Sequence, residues 1–168
     1  RGMPTLAQVA EWDSGDSWNS SNNAGNNTLY GGAGNDKLFG GYFDDTLDGG
    51  TGTDTLSGGN GVDIFVTRLG SGNTTLAEAD VITDFNDGTD LIGLDNGLTF
   101  SVLTIEQGTG DYSNHSIVKS GSEYLFIVQN FTAASLTEAD FTPVDINETG
   151  HMTASFFFGT NADGDSLD

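Results

Sequence analysis

Between Asn22 and Val66 the sequence repeats every nine residues. Set in rows it reads NNAGNNTLY, GGAGNDKLF, GGYFDDTLD, GGTGTDTLS and GGNGVDIFV. Glycine fills the first two places in four rows and the fourth place in four rows. Asp36, Asp45, Asp54 and Asp63 hold the sixth place. Leu29, Leu38, Leu47, Leu56 and Phe65 hold the eighth. A fixed period constrains the fold more than any local propensity, because every row must repeat one local structure. A glycine- and aspartate-rich linker has no use for an apolar residue phased in this way.

Each place has its own physical reading. The first six residues form a turn, where glycines permit positive φ and let successive carbonyls converge. The sixth residue adds a carboxylate. The last three form a short strand that turns only its eighth-place side chain inward. Two strands and two turns make a coil of 18 residues, so turns two rows apart stack on one edge. One apolar residue in nine does not offset the entropy of ordering the row, and stacked aspartates repel. Something must lie between the turns. Carbonyl and carboxylate oxygens suit Ca²⁺, which takes about six to eight oxygen ligands.

Composition points the same way. Acids number 25 and Lys plus Arg only 4, for a formal charge of −21. Such a chain repels nucleic acid and anionic membranes and attracts cations. Nineteen of the acids are Asp, whose short side chain suits a loop ligand. The absence of cysteine removes disulfides, thiolate metal sites and cysteine nucleophiles. No apolar run approaches the roughly 20 residues that span a bilayer, so no membrane insertion is expected. RGMPTLAQVA lacks the apolar core of a cleavable signal peptide. A start at Arg1 is expected of a processed product or an excised fragment.

The rows GGAGNDKLF, GGTGTDTLS and GGNGVDIFV match the pattern GGxGxDxUx, with U apolar. On these residues the chain resembles the RTX (repeats-in-toxin, hemolysin-type) calcium-binding proteins. The resemblance implies an all-β fold: a parallel β-roll, or right-handed β-solenoid, followed by a β-rich C-terminal cap. It also implies several Ca²⁺ ions, each shared by a stacked pair of turns. The ligands it implies are Gly31, Ala33 and Asp36; Gly40, Tyr42 and Asp45; Gly49, Thr51 and Asp54; and Gly58, Asn60 and Asp63. Asp36 with Asp54, and Asp45 with Asp63, are the expected pairs. Two departures matter. Phe43 replaces the fourth-place glycine, and a bulky residue resists positive φ, so this turn is expected to distort. Asn27 replaces the first aspartate, which weakens a site built there.

Beyond Val66 the glycine period stops. DVITDF and TDLIGL read as strands around an NDG turn. This stretch resembles the segment that follows the last repeat in RTX modules of serralysin-like proteases and alginate epimerases. By that resemblance Asp80 and Asp84 close the last calcium site with Asp63. Thr75 with Glu78, and Ser135 with Glu138, have capping-box spacing. Strands are expected over residues 98–106, 116–118 and 124–131, the last two joined as a hairpin through KSGSE. SLTEADF resembles the usual ending of RTX C-terminal regions. The expected organisation is an N-terminal cap over 1–21 that includes Trp12 and Trp18, a roll over 22–66, a continuous β-rich cap over 67–142 and a tail over 143–168. The tail reads as a secretion signal, a calcium loop at Asn161, Asp163 and Asp165, or a remnant of cloning at GHM.

The motifs argue against an enzyme. His115 and His151 lack zinc-protease spacing, and there is no Gly-x-Ser-x-Gly elbow and no P-loop. The first expectation is therefore a non-enzymatic extracellular module of a bacterial protein. The resemblance implies export through type I secretion, with folding on Ca²⁺ outside the cell. Such a module is a candidate for self-assembly into a homo-oligomer or filament through LAQVAEW and TASFFF. The second expectation is a C-terminal secretion or substrate-binding module of a polysaccharide-acting enzyme, with Tyr30, Tyr42 and Tyr112 stacking on sugars.

Overall fold

The computed structural model describes residues 17–19 and 25–146. Twelve strands run in chain order: β1 Ser17–Asn19, β2 Thr28–Tyr30, β3 Lys37–Gly41, β4 Thr46–Asp48, β5 Thr55–Gly59, β6 Ile64–Thr67, β7 Asp80–Ile82, β8 Leu91–Leu94, β9 Thr104–Gln107, β10 Ser116–Ser120, β11 Glu123–Val128 and β12 Phe141–Pro143. Strands from alternate rows go to opposite sheets. The seven-stranded sheet has the order β1-β3-β5-β7-β11-β10-β9, and the five-stranded sheet β12-β8-β6-β4-β2. One coil therefore gives one strand to each sheet, the topology of a parallel β-roll.

The register reproduces the period. Leu29 pairs with Leu47, Leu38 with Leu56, and Leu47 with Phe65, always one coil apart. These five eighth-place side chains are at most 1% exposed and form one core between the sheets. A strand of three to five residues points only one or two side chains inward, so the row needs no second apolar place. β1 joins this order with Ser17 opposite Lys37 and Trp18 opposite Leu38. That separation exceeds the repeat coil by two residues.

The winding does not stop at Val66. β7 pairs in parallel with β5, Ile82 opposite Leu56, and β8 pairs in parallel with β6, Ile92 opposite Phe65. DVITDF and TDLIGL are thus strands on either side of the NDG turn, as expected, but they go to opposite sheets and form the next coil. β11 and β12 then lie parallel on β7 and β8. Among the described strands only β10 runs against the rest, antiparallel to both β9 and β11. The KSGSE hairpin forms as expected, with Gly121 at φ 60° and a bulge at Val118/Lys119.

Three local expectations are corrected. Thr75 makes no side-chain cap on the 3₁₀ turn Leu76–Glu78; the Glu78 N–H bonds back to the Thr75 carbonyl instead. The second capping pair is Thr137 with Asp140, because Ser135 is consumed in the preceding turn Ala133–Ser135. Strand structure over 98–106 is limited to β9, since Val102 and Leu103 close a 3₁₀ turn on Thr99 and Phe100. Trp12, LAQVAEW, TASFFF, His151 and the acidic tail at Asn161, Asp163 and Asp165 lie outside the described residues.

Candidate metal centre

Each sixth-place aspartate is buried, with Asp36, Asp45, Asp54 and Asp63 at most 1% exposed. Their Oδ1 atoms form two columns. The Asp54 carboxylate accepts the Asp36 N–H at 2.8 Å, and Asp80 accepts the Asp54 N–H at 2.8 Å. On the other edge Asp45 accepts from Asn27 at 2.8 Å, Asp63 from Asp45 at 2.9 Å, and Asp90 from Asp63 at 3.1 Å. The carboxylates of Asp45, Asp54, Asp63, Asp80 and Asp90 thus each reach back one coil and satisfy a buried N–H there. The two expected pairs are stacked and bonded directly to each other.

The second oxygen of three of them has no such bond. Oδ2 of Asp45, Asp54 and Asp63 is buried without a hydrogen-bond partner. Burial of a carboxylate oxygen without a partner is costly, and the acidities register it. Desolvation, partly offset by the backbone hydrogen bond, pushes Asp45 up to about 6. The same cause pushes Asp54 and Asp63 up to about 7. Asp80 is raised well above the usual range by burial and by the charge of Asp54, and Asp90 is raised chiefly by burial.

The glycines show where these oxygens point. A Cβ on Gly40 would stand 2.6 Å from both Asp45 Oδ2 and the carbonyl oxygen of Gly58, one coil on. A Cβ on Gly31 would stand 2.6 Å from the Gly49 carbonyl oxygen and 2.8 Å from Asp36 Oδ2. First-place glycine is required because carboxylate and carbonyl approach a common point over its Cα. Second-place carbonyls are already engaged: Gly32 accepts from Thr51 and Gly41 from Asn60, both at 2.8 Å. Ala33 and Thr51 are brought together as a parallel bridge. Among the described residues no three acidic or histidine side chains converge; the converging donors are one carboxylate and main-chain oxygens. That donor set, with buried negative charge, fits a hard cation such as Ca²⁺.

Asp80 and Asp84 occupy different places. Asp80 extends the Asp36–Asp54 column. Asp84 lies near enough to Asp63 for its charge to raise that group, but its carboxylate binds the Gly58 and Gly59 N–H groups and the Ser57 hydroxyl, each at 2.9 Å. The carboxylate that continues the Asp45–Asp63 column is Asp90, which also accepts the Asn86 N–H. Its phase, 27 residues beyond Asp63, is hidden by the lengthened coil.

Two further features had no signal in the period. Fifth-place side chains form an outer ladder of opposite sense: Asn26 accepts from Asp44, Asn35 from Thr53, and Asp44 from Val62, each one coil on. Arg68 is buried between two carboxylates, with Nη1 and Nη2 on Asp48 and Nε 2.8 Å from Asp95 Oδ2. Phe43 accepts positive φ, at 76°. The turn keeps its stacking, because the Phe43 carbonyl sits under Gly61 as Gly34 sits under Gly52. The expected distortion is replaced by strain at one residue. Of the tyrosines proposed for sugars, Tyr42 is exposed, Tyr30 is buried, and Tyr112 is half-buried against the Ile117 cluster.

Stacked parallel coils with inward carboxylates and converging carbonyls define a cation-binding β-roll. The family model of the RTX calcium-binding nonapeptide repeat, in four copies, matches residues 23–42 and 39–76. The chain carries RTX calcium-binding repeats, and those repeats bind Ca²⁺. Among solved structures it is similar to the AlgE6R2 subunit of the Azotobacter vinelandii mannuronan C5-epimerase. The identity is 24%, the TM-score 0.54, and the match covers 86% of this chain and 98% of that one. The AlgE6R3 subunit of the same epimerase matches at 25% identity and a TM-score of 0.45, over 83% of this chain and 80% of that one. No curated protein matches the chain significantly.

Proposed function

We propose that the chain is a non-enzymatic structural module of a secreted bacterial protein, exported through type I secretion and folded by Ca²⁺ outside the cell. The observation that carries this reading is the buried, unbonded Oδ2 of Asp45, Asp54 and Asp63, that of Asp45 standing over Gly40 beside the Gly58 carbonyl oxygen. The proposed ligands are the first- and third-place main-chain oxygens (Gly31, Ala33, Gly40, Tyr42, Gly49, Thr51, Gly58, Asn60) and the carboxylates of Asp36, Asp45, Asp54 and Asp63. Asp80 closes one column. Asp90 closes the other, in preference to Asp84, whose oxygens already accept three hydrogen bonds. When bound, Ca²⁺ supplies the positive charge that the buried carboxylates lack. The chain's own part is to stack the turns, exclude water from the carboxylates and hold the column by Oδ1. Because the calcium-free chain is less ordered, it is suited to threading through an exporter where calcium is scarce.

Circular dichroism tests this reading. Excess chelator is expected to remove most β signal, and millimolar Ca²⁺ to restore it cooperatively. Mg²⁺ is expected to restore little, because it demands a tighter octahedron. An unchanged spectrum in chelator overturns the reading.

A second reading is favoured by the name of the structural neighbour, one subunit of a polysaccharide-acting epimerase. On that reading this chain is the auxiliary module of such an enzyme and contributes secretion or substrate binding. Self-assembly is a weaker extension. Sheet edges at β2 and β12 invite a neighbouring strand, but the charge of −21 and Pro143 in β12 oppose it.

A further inference from the structure

The turn from Gly40 to Asp45 departs from the repeat in a way that folding does not explain. The equivalent fourth-place residues Gly25, Gly34, Gly52 and Gly61 all have positive φ, between 96° and 118°. Phe43 takes that backbone region at φ 76°, where an aromatic side chain is strained. The ring gains little packing in return, being 52% exposed. Tyr42 beside it is 56% exposed, and Val62, on the next coil of the same edge, is 42% exposed. Backbone strain with an outward-facing aromatic is the pattern of a residue kept for binding.

We propose that Tyr42 and Phe43 form a platform that stacks the pyranose rings of an uncharged polysaccharide. The inference deepens the auxiliary-module reading and rests on the calcium-folded roll, since the stacked turns hold Phe43 in place. Size and charge select this occupant. Two half-exposed rings and a valine offer roughly 200–300 Å², well below the ~800 Å² that a stable protein partner buries on each side. The chain's formal charge is −21 and bound Ca²⁺ offsets only part of it, so a second copy, a polyanion and an anionic lipid surface are all repelled. A neutral glycan carries no charge, and its C–H faces match the aromatic faces. The Asp44 carboxylate, exposed next to the rings, is an acceptor for sugar hydroxyls.

The test uses the full chain in millimolar Ca²⁺, titrated by calorimetry with cellohexaose and mannohexaose as neutral probes. Polygalacturonate and phosphatidylcholine vesicles serve as comparison probes. The wild type is expected to bind a neutral hexasaccharide. Phe43→Trp should retain that binding, and Phe43→Gly should weaken it about three- to tenfold. Phe43→Gly should also fold at a lower calcium concentration, which loss of a merely structural residue would not produce. The proposal is overturned if neither hexasaccharide binds or if Phe43→Gly binds like the wild type. It is equally overturned if only polygalacturonate or vesicles bind, or if Phe43→Gly fails to fold. A wild type that binds the glycan while already folded in chelator would sink the calcium reading and leave the platform standing.

Discussion

A sixth-place aspartate in this roll has two oxygens with two tasks. Oδ1 of Asp54 satisfies a neighbour's N–H, while Oδ2 is buried without a hydrogen bond. This division fixes a pH dependence for the calcium-free protein. Asp45, Asp54 and Asp63 are raised from 3.8 to about 6, 7 and 7. The folded roll therefore holds protons that the unfolded chain releases. Their contribution to stability is fully present below about pH 4 and is lost as pH rises through 6 and 7. In chelator the β signal is expected to be larger at pH 5.5 than at pH 8. With calcium the order reverses, because cation and proton compete for one oxygen, and the calcium midpoint should fall as pH rises across the same window. Dichroism in chelator and a calcium titration at each pH measure the two trends; a chelator signal that rises with pH, or a calcium midpoint that rises with pH, would refute the assignment. The position of these aspartates was legible in the sequence, since the period placed each of them. The split between Oδ1 and Oδ2 was not, because it depends on which neighbouring coil the side chain leans toward. Phe43 was legible only as a conflict with glycine; that the backbone takes the strain and keeps the turn depends on the stacking of Gly61 over its carbonyl.

At the scale of elements, the repeat is completed by strands that lack its signature. β7 and β8 carry no glycine pair, yet they stack on β5 and β6 and bring Asp80 and Asp90 under the two columns. The period failed there because the coil lengthens by 8 to 9 residues between β5–β6 and β7–β8, so matching places fall out of phase. Alternation alone could identify a strand but not the sheet it joins. Asp90→Ala leaves the N–H groups of Asp63 and Asn86 without their acceptor, at a cost of about 1–3 kcal/mol for each that stays buried. Asp87, three residues earlier and exposed, should tolerate alanine within about 0.5 kcal/mol. Urea denaturation of both variants at saturating Ca²⁺ measures the contrast. Equal midpoints would mean that Asp90 does not close its column.

The whole molecule carries a charge of −21 with four Lys and Arg. That excess admits two accounts of what calcium does. In one, the ion lowers general repulsion among 25 acids. In the other, it satisfies particular buried oxygens in the columns. Salt separates them, because mobile ions screen exposed charges beyond about 4–5 Å at 0.5 M but do not reach carboxylates at most 1% exposed. Buried charge also needs a fixed partner, as Arg68 provides for Asp48 and Asp95. Among the sixth-place aspartates of the roll no salt bridge of that kind joins a side chain to the Oδ2 of Asp45, Asp54 or Asp63. Chelated protein in 0.5 M NaCl at pH 8 is therefore expected to stay largely without β signal, while 5 mM CaCl₂ at low ionic strength restores it. Recovery in NaCl to the calcium level would show that net charge, and not the buried columns, is what the cation offsets.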